Sequence, residues 1–141
     1  MDSSQRVCFD DTFRVLSLDT ERFDKVSRVK AQAQTFLADI EIDINTDIYP
    51  VKVGETVSIA VATTGEEAAW DSAASRLGGG LLDAYEYVMF GKVYKKVDGS
   101  GTKVSVYASF GGLLMCLQGD RNDLDGLHLD DRVYFLMKTV A

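Results

Sequence analysis

The chain predicts an all-β fold, a closed barrel or a sandwich of antiparallel strands. Three observations carry this. Apolar residues recur at every second position through most segments, turn residues separate those segments at short intervals, and helical periodicity is nearly absent. Side chains on a strand point alternately to two faces, so such alternation describes strands with one face on a core and one in water.

The clearest strand is "FLADIEIDI", Phe36 to Ile44. Phe36, Ala38, Ile40, Ile42 and Ile44 fall on a core face, while Leu37, Asp39, Glu41 and Asp43 fall on a wet face. "VSRVKAQA" before it is a weaker strand, and "TVSIAVATT" after it sets Val57, Ile59 and Val61 on one side. Pro50 has no N–H to donate and marks a strand end or edge; Gly54 marks a turn. "AYEYVMFGKVYKKV" then reads as a long strand. It meets the chain's strongest hairpin signal, "DGSG" at Asp98 to Gly101, whose residues tolerate positive φ. The return strand "TKVSVYASF" turns Val104, Val106, Ala108 and Phe110 inward. "LLMCLQGD", the polar turn region "GDRNDLDG" and a last strand, "RVYFLMKTV", complete the series.

One stretch departs from this pattern. Between Thr63 and Gly80, Thr64 precedes Glu67 by three residues as in a capping box. Trp70, Ala73, Ala74 and Leu77 share one helical face, and three glycines stop the run. A short helix inside a long connection and a loop with one aromatic anchor fit equally well.

At 141 residues the chain is long enough to bury a core as one domain, residues 1–141. No apolar run approaches the roughly 18 residues needed to span a bilayer, so no membrane partner is expected. The start "MDSSQRVCFDD" lacks the basic and apolar regions of a secretory signal, which predicts the cytosol or nucleus. A formal net charge of −7 with no basic run argues against nucleic acid as the main partner, because such affinity comes from neutralising phosphates.

A search for chemistry finds little. Asp39, Glu41 and Asp43 lie about 7 Å apart along one strand face, and a solvated outer face explains them better than a metal. Asp120, Asp123 and Asp125 lack the ligand spacing and distal Glu of a calcium loop and read as turn residues. Two lone cysteines, Cys8 and Cys116, and one histidine, His128, do not make a zinc site. No nucleophile motif surrounds His128, and no phosphate loop surrounds the glycine triplet. The expectation is no catalytic residue, no metal and no cofactor.

The second half instead carries strands that are apolar on both faces. Tyr85, Tyr87, Met89 and Val93 oppose Val88, Phe90 and Tyr94; Leu113, Met115 and Leu117 oppose Leu114 and Cys116; Val133, Phe135 and Met137 oppose Tyr134 and Leu136. One set fills an interior. The other needs a covering loop, a barrel corner or a partner, because each such side chain gains roughly 1.5–3 kcal/mol from burial. Gly111 and Gly112 fit a bulge or a sharp bend at a barrel corner.

"FDKVSRV" (Phe23 to Val29), "YEYVMFGKVYK" (Tyr85 to Lys95), "SFGGLLMCLQGD" (Ser109 to Asp120) and "RVYFLMK" (Arg132 to Lys138) resemble, in order and spacing, the eighth subunit shared by the eukaryotic nuclear RNA polymerases I, II and III. The resemblance spans nearly the whole chain and is weakest in the first six residues and across Thr64 to Leu82. It implies an eight-stranded antiparallel barrel, related to oligonucleotide-binding (OB) folds, with a long central loop at about residues 64–83. It implies a non-catalytic component of the nucleus and nucleolus, seated on the largest subunit, with the catalytic magnesium held elsewhere. The partner interface expected on this basis comprises Tyr85, Tyr87, Phe110, Gly111, Gly112, Leu113, Leu114 and Met115. The central connection departs from the family in being rich in Ala and Gly and free of proline. The rival reading is a single-strand nucleic-acid-binding barrel, with exposed aromatics stacking bases beside Lys92, Lys95 and Lys96.

Overall fold

A computed structural model describes residues 5–64 and 84–140. They form eight strands: β1 (Gln5–Phe23), β2 (Val26–Ala33), β3 (Asp39–Asn45), β4 (Thr56–Thr64), β5 (Tyr87–Asp98), β6 (Lys103–Phe110), β7 (Leu113–Asp120) and β8 (Arg132–Thr139). Every pairing is antiparallel, and the strands close in the order β1-β2-β3-β7-β6-β5-β8-β4. Closure leaves one interior, filled by alternate residues such as Phe13, Ile40, Ile42, Ile59, Val106 and Phe135. Thr64 ends β4, and the rest of the connection read as a short helix or an anchored loop lies outside the described residues; among those described there is no α-helix.

Two strands are long because each serves its two neighbours in succession along its length. β1 pairs with β4 from Gln5 to Arg14 and with β2 from Phe13 to Phe23. β5 pairs with β8 from Tyr87 to Lys92 and with β6 from Lys92 to Asp98. At the β5 crossover Gly91 is obligatory: a Cβ there would overlap the Ser109 carbonyl oxygen and lie 2.6 Å from Phe110 Cδ1. The barrel corner thus sits at Gly91. Gly111 and Gly112, expected as a bulge or corner, instead form the two-residue turn between β6 and β7. Their φ values of +65° and +102° suit the primed turns that match strand twist.

β1 was not evident from periodicity, although Phe9, Phe13 and Val15 are buried. The buried position between Phe9 and Phe13 is Asp11, which breaks the apolar series. Its carboxylate accepts N–H groups from Thr12 (2.8 Å), Thr35 (3.0 Å) and Phe36 (2.9 Å), and so fastens the β2–β3 connection. Burial alone would raise this carboxyl, but the N–H groups of Phe36, Thr35 and Thr12 outweigh it and hold it below its ordinary range. The same connection corrects the start of β3. Phe36 is not inward on a strand; it lies before the ladder begins at Asp39, 38% exposed, with its ring 5.4 Å from Phe9.

Candidate interaction face

The parity sets of the second half are resolved by the barrel. On β7, Met115 and Leu117 are buried while Leu114 is 38% exposed and Cys116 half-buried. On β5, Tyr87 and Val93 point inward, whereas Val88 and Tyr94 are exposed. On β8, both sets are buried.

The eight residues expected at an interface therefore separate. Tyr87, Phe110 and Met115 belong to the core, and Leu113 packs against it half-buried. They are interior residues, because the inward parity of β5, β6 and β7 leaves them no outward surface. Tyr87 instead spans the barrel: its hydroxyl accepts the Asn45 N–H (3.0 Å) and donates to Met89 Sδ (3.5 Å). Tyr85 does not share its face, as it precedes the strand and packs against an external cluster of Ala60, Ala62, Tyr134 and Leu136. Gly111 and Gly112 are exposed at the hairpin tip. Leu114 alone among the apolar candidates presents a side chain outward on the β3-β7-β6 wall.

Register places its neighbours. Across the outer wall, Lys30 on β2 faces Glu41 on β3, Glu41 faces Cys116 on β7, Cys116 faces Tyr107 on β6, and Tyr107 faces Lys95 on β5. A bulge between Val93 and Lys95 turns both Tyr94 and Lys95 to this wall. Tyr94 and Tyr107 lie 6.1 Å apart, and Lys95 Nζ sits 5.1 Å from the Tyr107 ring centre. Past the bulge the parity inverts, so Lys96 reaches the Leu127 carbonyl (2.7 Å) and Val97 is left exposed.

The β3–β7 ladder stops at the Ile42–Met115 pair. Beyond it, Asp43 seals the seam with its side chain. Its carboxylate accepts Arg28 Nε (2.8 Å), Arg28 Nη2 (3.0 Å) and the Leu114 N–H (2.9 Å). The expectation of three carboxylates in water is corrected here: Asp39 and Glu41 are exposed, but Asp43 is 2% exposed and fully committed. The hydrogen bonds it donates to Asp43 raise the Arg28 guanidinium against the opposing effect of burial. Between these groups lies a shallow cleft of about 150 Å³ lined by Arg28, Glu41, Tyr94, Tyr107, Leu114, Met115 and Cys116. Burial, the largest influence, pushes the Cys116 thiol up, so it is a packing group rather than a nucleophile. The Tyr107 hydroxyl is also raised, chiefly by its hydrogen bond with that thiol.

The remaining candidates are turn and surface groups. Asp120 accepts the Asn122 N–H (2.8 Å) and the Thr102 hydroxyl (2.9 Å), in keeping with turn chemistry. His128 is exposed, with its backbone N–H donating to Asp131. No group of His, Cys, Asp and Glu suited to a metal occurs among the described residues. Sequence reasoning missed Arg28, Tyr94 and Tyr107. Arg28 opposite Asp43 follows from hairpin register once β3 is known to start at Asp39. Alternation alone turns Tyr107 outward on β6 and Tyr94 opposite Val93 on β5; what no periodicity announces is the bulge that brings Lys95 to the same wall.

The described residues thus form a closed antiparallel barrel with a grooved, partly apolar outer wall. Residues 10–139 match the RNA polymerase Rpb8 family, and the chain belongs to that family. It is 41% identical over 94% of its length to a Caenorhabditis elegans protein, of which it covers 95%, named as the probable DNA-directed RNA polymerases I, II, and III subunit RPABC3. It is 39% identical to the Arabidopsis thaliana DNA-directed RNA polymerases II, IV and V subunit 8B, over 96% of this chain and 98% of that one. Identity to the Saccharomyces cerevisiae DNA-directed RNA polymerases I, II, and III subunit RPABC3 is 34%, over 92% of this chain and 96% of that one.

Proposed function

We propose that this chain is a non-catalytic subunit of nuclear DNA-directed RNA polymerases, acting in the nucleus and nucleolus, and that it docks on the largest subunit through the Leu114 wall. The family and the naming of its relatives support the polymerase role. The observation that carries the docking reading is the half-exposed group of Leu114, Tyr94 and Tyr107 around the cleft on an otherwise closed barrel. Apolar and aromatic side chains beside an Arg held by a buried carboxylate make the composition typical of an interface centre. Gly111 and Gly112 at the adjoining hairpin tip let a partner approach bare backbone. Tyr87, Phe110, Leu113 and Met115 serve the same interface from beneath, by fixing the strands that present it.

The test is co-purification of the largest subunit with tagged Leu114→Asp and Tyr94→Ala chains. Each substitution is expected to weaken association by about tenfold or more, as truncation at the centre of an interface does. Undiminished co-purification with folded variants overturns the reading. The pairing of Tyr94 and Tyr107 with Lys95 favours a second reading, base stacking on single-stranded nucleic acid. Absence of binding at low salt removes it, and the net charge of −7 weighs against it.

A further inference from the structure

Among the described residues, β1 has one edge that no other strand uses. From Gln5 to Arg14 it pairs with β4 on one side, whereas β2 joins its other side only from Phe13 onward. Thr12 turns its carbonyl to the β2 side, where it accepts the Gln34 N–H at 2.9 Å. Backbone direction alternates along a strand, so Asp10 turns its N–H and C=O to that same side, ahead of the point where β2 arrives. Among the described residues no strand pairs with it there. A closed barrel normally removes such edges, and this one is opened by the length of β1.

A groove of about 280 Å³ runs beside that edge, lined by Val7, Cys8, Phe9, Asp10, Phe36 and Asp123. Phe36 forms an aromatic pair with Phe9 on its floor, and Leu37 next to it is 88% exposed. Asp10 and Asp123 set two carboxylates on the rim, and no cation is among the described residues that line it. The Asp10 main-chain groups, an apolar floor and an anionic rim together specify an extended segment with alternating apolar and cationic side chains. Main-chain pairing supplies the affinity, and the carboxylates select the charge.

We infer that the free edge of β1 around Asp10 is a second docking site, which takes an extended, Arg- or Lys-bearing segment of a partner protein by strand addition. It shares no residue with the Leu114 wall and does not depend on it.

The test is titration of the isotope-labelled full chain with a blocked peptide alternating valine and arginine. Amide shifts are expected to concentrate between Val7 and Asp11 and at Phe36, with the Asp10 amide becoming protected from exchange. Charge reversal in an Asp10→Lys/Asp123→Lys chain that keeps its native spectrum is expected to weaken binding by about tenfold or more. A peptide N-methylated at every residue, unable to pair through either edge, is expected not to bind. The inference is overturned if the valine–arginine peptide leaves these amides unmoved, if the N-methylated or a valine–glutamate peptide binds as well, or if the same amides shift only through self-association of the chain.

Discussion

The outer walls on opposite sides of the barrel carry the same apolar signature and meet different fates. On the β4–β8 side, Ala60, Ala62, Tyr134 and Leu136 point outward and are nonetheless buried, with Tyr85 and Phe90 packed against them. On the β3-β7-β6-β5 side, Leu114 and Tyr94 point outward and remain 38% and 46% exposed. The first wall is completed by the chain itself and serves stability. The second is left open around a cleft, and it is the wall proposed to serve contact. A strand that is apolar on both faces therefore says only that its second face is covered, not by what.

Substitutions on the two walls sharpen this contrast. The largest effect is expected beneath the open wall. Asp43→Ala strands the Arg28 guanidinium and frees the Leu114 N–H, and unfolding in denaturant should show a loss of about 3–5 kcal/mol. A loss below about 1 kcal/mol would mean the seam between β3 and β7 does not need its carboxylate. Next comes the sealed wall, where Leu136→Ala removes a fully buried side chain and should cost about 2–5 kcal/mol. Assembly with polymerase should follow that stability and nothing more.

Asp11 gives a smaller, pH-dependent effect. Its folded-state value lies below the ordinary 3.8, so its contribution is fully present above that value and is lost as pH falls through the lower folded value. Asp11→Ala should cost about 1.5–3 kcal/mol at neutral pH and flatten the acid limb of the stability curve below the unfolded value. An unchanged acid limb would show that the three N–H donors do not hold the carboxylate. The smallest effect on stability is expected at Leu114→Ala, within about 0.5 kcal/mol by the same unfolding measurement, because the side chain is half in water already. A large loss there would move Leu114 into the class of Leu136 and dissolve the contrast.

Much of the barrel was legible because strand alternation depends only on which face meets the core. The inward sets of β4 and β6, the Ile40, Ile42 and Ile44 face of β3 and the hairpin at Asp98 to Gly101 follow from local pattern and turn chemistry, whereas for β5, β7 and β8 the pattern offers two apolar sets and does not say which is inward. β1 was hidden because Asp11 stands in an inward position, a polar group accepted there only through three N–H donors from residues near and far in sequence. Asp43 was misplaced for the same reason, since its alternation is correct and only tertiary pairing with Arg28 explains its burial. The candidate interface was read as one continuous string, but alternation along β7 sends successive residues to opposite faces. Met115 and Leu114 are neighbours in sequence and lie on different sides of the wall.

The most direct measurement is oxidative footprinting of side chains in the free chain and in assembled polymerase. Leu136 and Tyr134 should be protected in both states, while Leu114 and Tyr94 should be modified in the free chain and protected in the assembly. Equal modification of Leu114 and Tyr94 in both states would contradict the account.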